Sequence, residues 1–109
     1  MLTVDLDELL KPKSENRVHQ AEFSQPLCTA IQIALVDVLH SWGVFPSAVI
    51  GFSAGEIAAA YASDALTAEE AIINSYYRGL ITRKFKGSSY NGGMVAVGLE
   101  PQEIGRAHV

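Results

Sequence analysis

Residues 48–62 read Ala48-Val49-Ile50-Gly51-Phe52-Ser53-Ala54-Gly55-Glu56-Ile57-Ala58-Ala59-Ala60-Tyr61-Ala62, and the order of residue types in this stretch decides the fold expected of the whole chain. Ala48-Val49-Ile50 is a short apolar run with two β-branched residues, which predicts a buried strand. Glu56 to Ala62 is rich in small, helix-favouring residues, which predicts a helix. Between them lies Gly51-Phe52-Ser53-Ala54-Gly55, a G-x-S-x-G sequence of the kind that turns a strand sharply into a helix and presents the serine at its tip. Glycine on either side of such a turn lets backbone approach where a Cβ would clash. The helix behind the serine supplies unbonded N–H groups and positive potential. The N–H of the next residue, Ala54, is placed to face a developing oxyanion. Ser53 is therefore the candidate nucleophile. Taken alone, the pentapeptide also fits an ordinary strand–helix turn with Ser53 as a cap; the apolar run before it and the helix-prone run after it favour the elbow.

Upstream of this stretch, Ser24 and Pro26 predict a helix start, serine as N-cap and proline in the first turn. The helix runs from about Pro26 to Trp42 and carries Leu27, Ile31, Ile33, Leu35, Val36, Val38 and Leu39 around most of its circumference, so packing on several sides is expected. Gly43 is a candidate C-cap, and Pro46 prevents continuation. Before it, Val4, Leu6, Leu9 and Leu10 suit a short amphipathic turn, and residues 11–17 read as a loop. Downstream, Thr67-Ala68-Glu69-Glu70 is a capping box. It opens a helix to about Lys84 whose apolar stripe is read as Ile72, Ile73, Tyr76, Tyr77, Leu80 and Ile81. Residues 87–93 form a polar, glycine-containing loop, Met94-Val95-Ala96-Val97 predicts a second strand, and Pro101-Gln102-Glu103 opens another helix. The pattern is α/β.

The 109 residues suffice for one domain. With 49% hydrophobic and 18% charged residues the chain reads as globular rather than disordered. A net charge of −4 leaves no basic footprint for nucleic acid. The single cysteine, Cys28, excludes an internal disulfide and reads as a small core residue; no Cys/His spacing suits a metal. The N-terminus is acidic where a secretory signal would be basic, and no apolar run is long enough to span a bilayer, so no membrane association and a cytoplasmic location are expected.

From Ala21 to Gly98 several separated motifs occur in one order: AEFSQPLCTAIQIALVDVL, AVIGFSAGEIAAAYA, LTAEEAI, YYRGL and GGMVAVG. Together they resemble the acyltransferase domain of fungal iterative polyketide synthases, related to the malonyl-CoA:acyl-carrier-protein transacylases. The resemblance implies a partial domain. Residues 1–24 would be an N-terminal segment. Residues 25–92 would be part of the large, hydrolase-like subdomain with its strand–elbow–helix, and residues 93–109 the first strand of the small ferredoxin-like subdomain. It implies transfer of a malonyl-type unit from malonyl-CoA to the phosphopantetheine arm of an acyl carrier protein through an acyl-serine, with no bound cofactor and no metal, inside the remainder of a polyketide synthase. Ser53 matches the nucleophile, Ala54 the oxyanion N–H, Arg78 the arginine that holds the malonyl carboxylate, and Gln25 a glutamine beside the substrate. Arginine suits that role because its guanidinium is always charged and binds carboxylates as a fork. The chain departs from the family at Phe52, where the family carries histidine, and the family's catalytic histidine lies downstream of the matched residues.

Periodicity alone gives Arg78 a different reading. On a helical wheel it lies opposite the apolar stripe, as a solvated surface residue would; Gly79 beside it is compatible with close packing. Glu56 reads as a first-turn carboxylate favoured by the helix dipole, His40 as a helix C-terminal group, Asp64 as a turn residue between helices, and Tyr76 and Tyr77 as core aromatics. His19, His40 and His108 do not occupy the family's base position. Two other functions fit the elbow: a serine hydrolase of the α/β-hydrolase or patatin-like kind, which needs an acid–histidine pair or catalytic aspartate elsewhere, and a non-catalytic remnant.

Overall fold

The computed structural model describes residues 6–106 apart from residues 16 and 90; the expectations at Val4 and His108 lie outside them. Among the described residues the regular elements are a 3₁₀ turn at Leu6–Leu10 and four helices: α1 (Ala21–Ser41), α2 (Gly55–Ala62), α3 (Ala68–Lys86) and α4 (Pro101–Arg106). Helices α1 and α3 pack against each other antiparallel, and α2 lies against both.

The helix ends follow local chemistry. Thr67 caps α3 by accepting from the Glu70 N–H, and the Glu70 carboxylate accepts from the Thr67 N–H at 2.8 Å, the reciprocal box expected. Helix α1 closes in a Schellman motif: Gly43, at φ +76°, donates to the His40 carbonyl and Val44 to the Leu39 carbonyl. Helix α2 closes the same way with a non-glycine residue. Asp64 sits at φ +61° while Asp64 and Ala65 donate to the Tyr61 and Ala60 carbonyls.

Helix α1 starts earlier than expected. It begins at Ala21 behind Gln20, so Ser24 is a helical residue and not its cap, and Pro26 lies inside the helix. Proline there forgoes one bond to the Glu22 carbonyl. The extra turn is held instead by side chains: Glu22 is buried and accepts from Arg83 of α3 at 2.7 Å. The same segment is pinned from upstream. Arg17 lies over the Phe23 ring at 4.1 Å and pairs with the solvent-inaccessible Glu8 carboxylate, which Lys11 also binds. These hydrogen bonds hold the Glu8 pKa down at about 2.

The seam between α1 and α3 corrects the expected stripe on α3. The buried positions are Ala71, Ser75 and Gly79, one face of small residues at i, i+4 and i+8. Ile73, Tyr77 and Ile81 are exposed, and Tyr76 is only half-buried, edge-on to Tyr77. Side-chain size explains the difference. A Cβ on Gly79 would stand 2.3 Å from the Ala21 carbonyl oxygen, so the two backbones meet where only glycine fits. Hydrophobicity alone would have turned the helix to bury its isoleucines, away from that approach. Helix α1 is likewise buried on one side, through Glu22, Pro26, Leu27, Thr29 and Ile33. Ile31, Leu35 and Trp42 are exposed, and so is Cys28.

The two expected strands do not form. Residues 48–50 and 94–97 carry no β-ladder, and no strand occurs among the described residues. A strand exists through its pairing, and no second extended segment lies beside either run among the described residues. Ile50 accordingly stands 97% exposed rather than buried.

Candidate active site

The elbow is nonetheless formed. Ser53 adopts φ +52°, the left-handed region that costs a non-glycine residue about 1–2 kcal/mol. Three consecutive turn bonds hold it there: Gly55 to the Phe52 carbonyl at 2.9 Å, Glu56 to that of Ser53 at 3.2 Å and Ile57 to that of Ala54 at 3.2 Å. Gly51 makes the tightness possible, since a Cβ there would meet the Glu56 N and Cα at 2.4 Å. Nothing among the described residues lies within 4 Å of a Cβ on Gly55, so among them only the first of the two glycines is required by close approach. Ser53 is exposed at the tip. Ala54 precedes the first residue of α2, and its N–H has no acceptor among the described residues. Such an N–H can receive an anionic oxygen.

The tertiary structure brings Arg78 to this tip. Its Nη2 donates to Ser53 Oγ at 3.2 Å and its Nη1 to Gln25 Oε1 at 2.7 Å. Three side chains, from α1, the elbow and α3, therefore meet at one guanidinium. The solvated reading of Arg78 does not hold: the residue is half-buried, next to the seam rather than opposite it. The antiparallel packing carries this geometry, because Gly79 seats against Ala21, one turn from Gln25 on the same side of α1. The carbonyl of Arg78 is itself tied down by Thr82 Oγ1, which donates to it at 2.8 Å.

Two arginines of this seam have opposite surroundings. Arg83 is neutralised by Glu22. Arg78 meets only a neutral amide and a hydroxyl, and among the described residues no carboxylate pairs with it. Its positive charge beside Ser53 is left for an anionic ligand.

A tight turn that exposes Ser53, an unneutralised arginine above it and an amide beside them are therefore the site's geometry. The family model for the acyl transferase domain matches residues 2–108. The chain belongs to the acyl transferase domain family. It is similar to highly reducing polyketide synthases: 55% identical over 98 residues to one from a Fusarium species, 57% over 98 residues to one from Glarea lozoyensis and 50% over 97 residues to one from Gibberella moniliformis. Each alignment takes in 89–90% of this chain and 4% of the relative, so the chain spans a small part of the proteins it matches. No solved structure matches it.

Within this acyl transferase segment the other titratable residues lie in different settings. The His40 ring stacks on Phe45 at 4.9 Å, and His19 lines a cavity with Glu22, Arg83 and Lys86. Glu56 sits in the first turn of α2, as expected. Tyr61 donates to Asp37, and that bond pushes its phenol pKa up. Phe52, where the resemblance leads one to expect histidine, is 94% exposed beside Ser53. No group of three His, Cys, Asp or Glu residues is arranged to hold a metal ion among the described residues, and no described helix is long and apolar enough to cross a membrane. The pairing of Glu22 with Arg83 escaped the sequence reading, which takes Arg83 as a cation at the helix C-terminus; Arg83 continues the Ala71, Ser75, Gly79 spacing by one more turn, the one signal that could have found it.

Proposed function

We propose that this chain supplies the nucleophile and the carboxylate clamp for transfer of a malonyl-type acyl group from coenzyme A to the phosphopantetheine thiol of an acyl carrier protein, within a polyketide synthase. The observation that carries the reading is the uncompensated Arg78 guanidinium at 3.2 Å from Ser53 Oγ. A malonyl thioester has a carboxylate one methylene away from the carbonyl that Ser53 would attack. A cation beside the nucleophile can hold that carboxylate while the carbonyl reaches the serine.

In this reading Ser53 Oγ forms an ester with the malonyl carbonyl and the coenzyme A thiol leaves. The tetrahedral oxyanion is met by the Ala54 N–H, and the carrier thiol then takes the acyl group and restores the serine. The proton from Ser53 goes to a histidine outside the residues matched here, as in the family the chain resembles. Residues 25–92 would lie in the large subdomain and 93–109 would begin the small one. The runs at 48–50 and 94–97 would complete α/β sheets by pairing with other segments of the synthase.

The test is acyl loading in a synthase that carries this stretch. Ser53→Ala should abolish the malonyl–enzyme adduct seen by mass spectrometry, and Arg78→Ala should cost malonyl loading while sparing acetyl loading. Full loading without Ser53 would refute the nucleophile. Release of free malonate without transfer to carrier protein would favour a serine hydrolase.

A further inference from the structure

Arginine 78 offers five N–H donors and no acceptor, so whatever faces it must accept. Two acceptors do: Ser53 Oγ and Gln25 Oε1. These contacts leave three donors for a ligand. The Gln25 contact is the shorter, at 2.7 Å, and comes from the helix whose backbone is locked against α3 by Gly79 at Ala21. The serine contact, at 3.2 Å, comes from an exposed turn. Gln25 is thus the more rigid support of the guanidinium.

The chemistry of an amide is what the position needs. A carboxylate at residue 25 would hold Arg78 equally well but would cancel its charge, as Glu22 does for Arg83. An apolar residue would leave the charge but not the orientation. A neutral carbonyl oxygen fixes the guanidinium and preserves its attraction for an anion.

We propose that Gln25 is a positioning residue that acts on the acyl group through Arg78, setting the preference for acyl groups that carry a free carboxylate. The inference rests on the function proposed above. It removes Gln25 from direct contact with substrate and gives the α1–α3 seam a part in selectivity.

The experiment uses the 109-residue chain and two thioesters that differ only in the carboxylate, malonyl-N-acetylcysteamine and acetyl-N-acetylcysteamine. Binding is followed by the backbone resonances of Ala54 and Arg78 in isotope-labelled protein. Gln25→Met keeps the length of the side chain and removes the acceptor; it should lower the malonyl-over-acetyl preference by about 10-fold, the scale of one hydrogen bond to a charged group. Gln25→Glu should lower the preference too, while the Arg78 Nε–H resonance stays as sharp as in the unsubstituted chain; Gln25→Met should broaden it. In an Arg78→Ala background, Gln25→Met should change nothing further.

Retained malonyl preference in Gln25→Met, with Arg78→Ala still losing it, overturns the inference and leaves the proposed function standing. A further loss when Gln25→Met is added to Arg78→Ala also overturns it, because Gln25 then meets the ligand itself. No malonyl preference in the unsubstituted chain overturns the inference, and the loading test in the synthase decides the proposed function separately. Should Gln25→Met fail to give a dispersed spectrum, Gln25→Glu and the Arg78 resonance decide on their own: loss of the sharp resonance in Gln25→Glu counts against the proposal.

Discussion

Gly79→Ala puts the seam that positions Arg78 to a direct test. The added Cβ would lie 2.3 Å from the Ala21 carbonyl oxygen, 2.8 Å from its carbon and 3.0 Å from the Glu22 Cα. All are backbone atoms, so no rotamer change relieves the clash. The closest contact falls about 1 Å short of ordinary van der Waals distance, and α3 must move from α1 by a shift of that order. Overpacking of this kind costs about 1–3 kcal/mol, and the backbone character of the clash points to the upper end. Alanine returns about 1 kcal/mol through its better helix propensity. The net expectation is a loss of about 2 kcal/mol, or roughly 10 °C in melting temperature for a chain of this size. Gly55→Ala is the internal control, because nothing lies within 4 Å of its Cβ; it should be neutral or stabilising by up to about 1 kcal/mol. Urea and thermal unfolding followed by far-ultraviolet circular dichroism measure both. If Gly79→Ala matches Gly55→Ala in stability, the two backbones do not meet as described, and the account of how Arg78 reaches Ser53 fails with them.

Two other perturbations probe separate parts of the fold. The Glu8 carboxylate has its pKa lowered from the usual 4.5 to about 2 by Arg17 and Lys11, so the unfolded chain binds more protons in that range. Its contribution is complete above pH 4.5 and is lost as pH falls toward 2. Unfolding midpoints of the unsubstituted chain and Glu8→Gln should therefore differ most above pH 5 and converge near pH 2; a gap that does not depend on pH would contradict the ion pairs. Asp64 holds φ +61° at the close of α2, so Asp64→Gly should stabilise by about 0.5–1 kcal/mol once the added freedom of the unfolded chain is subtracted. A lower urea midpoint would show that Asp64 is not strained there.

Much of the local structure was legible in the residues. The Thr67 capping box, the left-handed Gly43 and the turn at Asp64 depend on neighbours a few positions away, and the sequence order alone places them. The elbow belongs to the same class, since its turn bonds each span three residues and Gly51 closely approaches only Gly55 and Glu56. The start of α1 was not legible. Pro26 marks a first turn by local rules, but the helix extends to Ala21 because Glu22 finds Arg83, 61 residues later. The strands at 48–50 and 94–97 have strand-forming residues, yet a ladder depends on a second segment whose contribution no local pattern encodes.

The site divides along the same line. The sequence by itself determined the turn that exposes Ser53, whose strain is local, and named Arg78 and Gln25 only through family resemblance. Only the tertiary structure decided what those two residues face. Periodicity places Arg78 away from its isoleucines and tyrosines, which is correct, and concludes that it faces solvent, which is not. Helix packing follows side-chain volume as well as hydrophobicity. The smallest residues of α3, Ala71, Ser75 and Gly79, turn toward α1, and that rotation carries the neighbouring arginine to Gln25 and Ser53.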